Sequence, residues 1–199
     1  MRVIAGAHRG ALLDAPPGRN TRPITDRVKE SLFSILGVRF GTLADLPAFD
    51  VLDVFAGSGA LGLEALSRGA RSCTFVERDP AALRTLRGNI QRLRVEGEAR
   101  VAPLDVWKMR LAPHAPDGFG LIFCDPPYQD STDPARVAKL LERLAASLSR
   151  AGILVFRHDG RREDHGMPPP SLTRIDQREY GGMHVLLFMP STLNPPSAE

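Results

Sequence analysis

The chain of 199 residues has only two cysteines, Cys73 and Cys124, both inside apolar runs. Two thiols cannot complete a structural zinc site, so buried, unbridged thiols are expected. The five histidines, His8, His114, His158, His165 and His184, fall at no metal-ligand spacing, and no metal is expected. No apolar run approaches the roughly 18–20 residues that a membrane-spanning helix needs. The opening MRVIAGAHRG holds no apolar stretch long enough for a signal peptide, so a cytoplasmic protein without a membrane partner is expected. Internal repeats are absent. Neither sign of charge dominates: 26 Lys and Arg against 23 Asp and Glu leave +3.

What is present fits a globular protein, with 43% hydrophobic and 25% charged residues in a length suited to one core. The small positive excess is unevenly placed. Arg2, Arg9, Arg19, Arg22, Arg27 and Lys29 face only Asp14, Asp26 and Glu30 within the first thirty residues. That suits a polyanionic partner, and it equally suits a solvated arginine-rich surface.

From Phe49 onward strands alternate with helices. Val51–Phe55, Ser72–Val76, Ala99–Ala102, Gly120–Cys124 and Gly152–Phe156 read as strands. Arg174–Tyr180 and His184–Met189, separated by two glycines, read as an antiparallel pair. Asp79-Pro80 and Asp133-Pro134 are helix starts, an N-cap followed by the proline tolerated at the first helical position. Val137, Leu140, Leu141, Leu144 and Leu148 follow the second of them at helical spacing. The expectation is an α/β, Rossmann-like fold: a mostly parallel seven-stranded sheet with helices on both faces and an antiparallel C-terminal pair. A small N-terminal hairpin and a helix over 25–36 precede it. Residues 1–40 form a basic extension, 41–190 the core and 191–199 a Pro- and Ser-rich disordered tail; a monomer is expected.

Ligands bind beyond the carboxyl ends of strands in such sheets, and the motifs fall there. Asp53-Val54-Phe55-Ala56-Gly57-Ser58-Gly59 follows a strand and opens a helix. Its glycines let backbone amides approach a ligand. Glu77, followed by Arg78, ends the next strand, where a carboxylate can take both ribose hydroxyls. The pair signals an adenosine cofactor without choosing between NAD and S-adenosylmethionine. Asp53 tips the choice, since a carboxylate there would repel a pyrophosphate and attract the ammonium of a methionine tail. Asp105, after the third strand, is either an acceptor for an adenine amino group or a turn-forming aspartate.

The second motif is Asp125-Pro126-Pro127-Tyr128, directly after Leu121–Cys124. Two prolines remove two amide donors and stiffen the chain. The Pro126 carbonyl and the Asp125 carboxylate can then accept from one NH2, while Tyr128 offers a face for a base. An exocyclic amine is a weak nucleophile because its lone pair is delocalised. Two acceptors on its protons favour the pyramidal form that attacks a sulfonium methyl. This is the chemistry of methyltransferases acting on planar amino groups.

Thr21–Phe33, Asp53–Leu66, Asp125–Tyr128 and Arg178–Gly181 together resemble the bacterial 16S ribosomal RNA guanine-N2 methyltransferase family, class I enzymes of this kind. Two positions depart from the pattern: Ile24 stands where a threonine is usual, and Arg157-His158 where an acid is common. The resemblance implies S-adenosylmethionine as donor, a guanine of 16S rRNA as substrate, N2-methylguanine as product and a partly or fully assembled small subunit as partner. Arg9, Arg22, Thr25, Arg27 and Lys29 are expected on the RNA side, with Arg22 or Thr25 also within reach of a methionine carboxylate. The competing readings are the same chemistry on another base, such as adenine N6, an NAD-dependent oxidoreductase, and a non-catalytic RNA-binding protein.

Overall fold

The computed structural model describes residues 1–16, 24–43, 45–109, 117–127, 132–158 and 168–191. Among them are four helices and seven strands: α1 (Asp26–Arg39), β1 (Asp50–Val54), α2 (Ala60–Ser67), β2 (Ser72–Val76), α3 (Pro80–Leu93), β3 (Ala99–Ala102), β4 (Phe119–Cys124), α4 (Pro134–Ala145), β5 (Leu148–His158), β6 (Leu172–Tyr180) and β7 (Met183–Pro190). The chain divides into two compact units, Met1–Met109 and Arg110–Glu199. Within the described residues no helix is long and apolar enough to cross a membrane.

In the first unit β1, β2 and β3 run parallel in the order β3-β2-β1. Every residue of the Ala- and Leu-rich α2 is buried. A Cβ on Gly62 would lie 2.3 Å from the Phe75 ring and 2.6 Å from the Cys73 sulfur, so only glycine lets α2 lie this close to β2. Cys73 and Cys124 are free and buried. Burial, reinforced by the charge of Asp53, pushes the Cys73 thiol well above its ordinary pKa. The Asp79 side chain caps α3 at Ala82, and Thr25 caps α1 at Val28.

The N-terminal hairpin is a single antiparallel bridge, Arg2 to Leu12, rather than two strands. It is anchored from below. Glu64 of α2 is fully buried and accepts from the backbone N–H of Ile4 (2.8 Å) and Ala5 (3.1 Å), from Lys29 Nζ (3.1 Å) and from Arg68 Nε (2.8 Å). Lys29 also donates to the Arg2 carbonyl, and the Arg68 guanidinium lies 4.7 Å from the Phe33 ring centre.

In the second unit the order is β4-β5-β7-β6, with β4 and β5 parallel and β7 antiparallel to both neighbours. Leu148, expected on the face of α4, instead opens β5. The helix stops at Ala145, and Leu148 pairs in register with Phe119. A sheet partner overrides a spacing match that helix periodicity alone could not reject.

Candidate active site

In the first unit β1 gives way at Phe55, whose φ of +61° is left-handed, an arrangement that costs a non-glycine residue about 1–3 kcal/mol and gathers at functional sites. Gly57 has a φ of +57°, and a Cβ there would meet only the Phe55 carbonyl, at 4.0 Å. The loop therefore presents bare backbone to open space. Ala56 N–H donates to the Val76 carbonyl at 3.1 Å, tying the loop to the end of β2.

Glu77 accepts three backbone N–H groups: Gly57 (2.9 Å) on Oε2, Arg78 (2.8 Å) and Asp79 (2.8 Å) on Oε1. A carboxylate has about four lone-pair sites, so capacity for a hydroxyl is left on Oε2. Glu77 thus fixes the glycine loop to the start of α3, a task its position in the sequence did not reveal. Asp53 is 2% exposed, with Oδ2 accepting from Gly62 N–H at 3.0 Å. Its charge lies beneath the loop, at the first turn of α2.

Asp105 serves the turn. Its Oδ1 accepts from Trp107 N–H at 3.0 Å, and its Oδ2 pairs with Arg78 at 3.2 Å. That turn brings the buried Trp107 ring to 5.3 Å from Phe55, tilted by 54°. The result is an apolar wall beside the loop. A bare glycine loop, a carboxylate at the adjacent strand end and this aromatic pair suit an adenosyl group.

In the second unit Asp125 follows β4 directly, with Pro126 buried and Pro127 half-buried. Both carboxylate oxygens meet Arg157 of β5: Nε to Oδ1 at 2.7 Å and Nη2 to Oδ2 at 2.6 Å. Desolvation raises the Asp125 pKa above the ordinary aspartate value, and Arg157 opposes that rise. The Asp125 side chain keeps 23% of its surface open. Tyr128 lies outside the described residues.

Of the residues expected to face RNA, Arg9 and Arg27 are exposed, and Thr25 is exposed while capping α1. Arg22 lies outside the described residues. Lys29 is a correction: it is 1% exposed, its ammonium on Glu64, and so cannot reach a phosphate. Arg2 is paired with Asp26 at 3.0 Å. The positive excess of the N-terminal block is thereby carried by fewer groups than a charge count implies.

The model of the family described as conserved hypothetical protein 95 matches residues 1–189. The protein YlbH of Bacillus subtilis is 40% identical over 163 residues, spanning 80% of this chain and 83% of its own. Ribosomal RNA small subunit methyltransferase D of Haemophilus influenzae is 36% identical over 143 residues, spanning 71% of each chain. The solved structure of yhhF from Escherichia coli, 30% identical, superposes with a TM-score of 0.76 over 96% of this chain and 97% of that one.

Proposed function

Because the chain belongs to the conserved hypothetical protein 95 family, we propose that it is a methyltransferase acting on the exocyclic N2 of a guanine in 16S ribosomal RNA, with S-adenosylmethionine as donor. The substrate in this reading is a partly or fully assembled small subunit, met in the cytoplasm by a monomer. The observation that carries it is Asp125-Pro126-Pro127 at the end of β4, with an oriented carboxylate and two successive backbone positions that lack N–H.

When bound, the donor supplies an electrophilic methyl on sulfur. Everything else is positioning and electrostatics. Asp125 and the Pro126 carbonyl accept hydrogen bonds from the two N–H groups of the amine, which favours the pyramidal form whose lone pair is free to attack; Tyr128 supplies a stacking face. Gly57 allows close approach to the donor, while Gly59, where a Cβ would lie 2.5 Å from Leu86, lets the loop turn against α3; Glu77 takes the donor's ribose, and Phe55 and Trp107 flank its base. Asp53 attracts its ammonium through the field of a buried carboxylate. Arg78 and Asp105 brace the adenine edge.

Replacing Glu77 by Ala is expected to weaken S-adenosylmethionine binding by about 1–3 kcal/mol, the range for hydrogen bonds to a charged acceptor. Calorimetry reads this directly, and tight NAD binding without S-adenosylmethionine binding would reverse the cofactor assignment.

A base must leave its stack to be methylated, at a cost of a few kcal/mol that contacts elsewhere must offset. Arg9 and Arg27, with Arg22, are the groups assigned to the RNA backbone. Replacing Arg9 and Arg27 by Ala is expected to reduce the slope of log affinity against log salt by about 1–2. An unchanged slope would leave them as surface residues only.

The function is tested by methyl transfer from labelled donor to naked 16S rRNA and to 30S particles lacking the modification. Label in the 16S rRNA of the particles is expected; label in neither substrate would remove the reading.

A further inference from the structure

Resting on that reading of the amine site, we infer that Arg157 is the positioning residue that holds Asp125 as an acceptor-only carboxylate toward the amine. The parallel register of β4 and β5 matches Cys124 with Phe156, so the next residues along, Asp125 and Arg157, meet side by side at the strand ends. The two bonds, 2.7 and 2.6 Å, form a fork on a fork, the geometry that fixes a carboxylate plane as well as its charge. Arg157 is itself 7% exposed, so the pair is little screened by solvent.

The fork occupies the two lone pairs of Asp125 that point the same way, and each oxygen keeps its outer one. The outer lone pairs diverge, so one of them accepts from an N–H of the amine while the fork holds the carboxylate plane. Ionised, Asp125 is an acceptor only; protonated, it would carry an O–H and an acceptor for the amine would be lost.

Protonation is the state that desolvation favours, and Arg157 opposes it. Among the described residues Arg157 is the charged group whose hydrogen bonds and field act on Asp125. The neighbouring His158 stacks on Phe156 at 5.4 Å and on His184 of β7 at 5.1 Å, and β7 pairs Val185 with Arg157. The acceptor state of the site thus rests on the ionisation of one carboxylate under the control of one guanidinium.

The test uses Arg157→Gln, which removes the charge, and Arg157→Lys, which keeps the charge without the fork. Carbon-detected NMR titration of the Asp125 carboxyl in the free protein should give a higher pKa in Arg157→Gln than in the parent, with Arg157→Lys between. Single-turnover methylation of 30S particles against pH should show the acid limb of Arg157→Gln moved upward. Each unit of that move costs about tenfold in rate at low pH, and the deficit narrows as pH rises. The KM for the methyl donor should stay near the parent value. An unmoved carboxyl titration, or a deficit equal at every pH, overturns the inference while a guanine product leaves the proposed function standing.

Discussion

Replacing Asp125 by Asn is expected to lower the rate of methyl transfer by about 10²–10³-fold, the range for losing one preorganised electrostatic contact to a reacting group. The substitution is nearly isosteric, so its effect is electrostatic. The Arg157 fork donates to both oxygens of Asp125, and an asparagine can offer it only one. The amide oxygen turns to the guanidinium, and the NH2 then faces a substrate group that is itself a donor. Donor binding should change little, because the groups assigned to the donor, the glycine loop and Glu77, do not include Asp125. Rapid-quench single turnover with calorimetry of donor binding separates the two quantities. A variant with parental rate would remove Asp125 from the reaction.

The second large effect concerns folding. Replacing Glu64 by Ala is expected to cost about 3–5 kcal/mol of stability, the range for breaking a buried ion pair by removing one partner. Glu64 is fully buried and every lone pair has a donor: two cations, Lys29 and Arg68, and two backbone amides at Ile4 and Ala5. Its loss strands both cations in the interior and releases the N-terminal segment. The full set of partners also makes apolar replacement of all three side chains a poor rescue, since the two amides would still lack an acceptor. Denaturant unfolding measures the loss, and faster hydrogen exchange at residues 4–8 should accompany it. A change below about 1 kcal/mol, the ordinary size for a point substitution, would mean that the cluster contributes little.

Local signals carried most of the fold. Ser72–Val76 is a strand with the expected bounds, and Asp79 and Asp133 cap their helices, because turn and cap chemistry acts over a few residues. Partners distant in sequence were illegible. Helical spacing places Val28, Leu32, Ile35 and Leu36 on one side of α1, yet its buried residues are Val28, Lys29, Leu32, Phe33, Leu36 and Gly37. A lysine can join that face only because Glu64 waits in another helix, and a charge count sees the lysine without its counter-ion. Arg157 was legible only as an unusual residue at a strand end. Its partner is 32 residues away, brought alongside by strand register. The motif residues were visible because glycines and prolines mark backbone geometry directly, and the turn-forming reading of Asp105 was visible too; the supporting task of Glu77 was not, since it depends on where amides of a folded loop point.

The central claim is that this chain methylates the N2 amine of guanine, and the most direct measurement is the identity of the product nucleoside. 30S particles lacking the modification are incubated with the enzyme and labelled donor, the 16S rRNA is digested to nucleosides, and the labelled species is separated by chromatography with mass detection. The account predicts a single labelled species, N2-methylguanosine. Label in N6-methyladenosine or in any other nucleoside would contradict it.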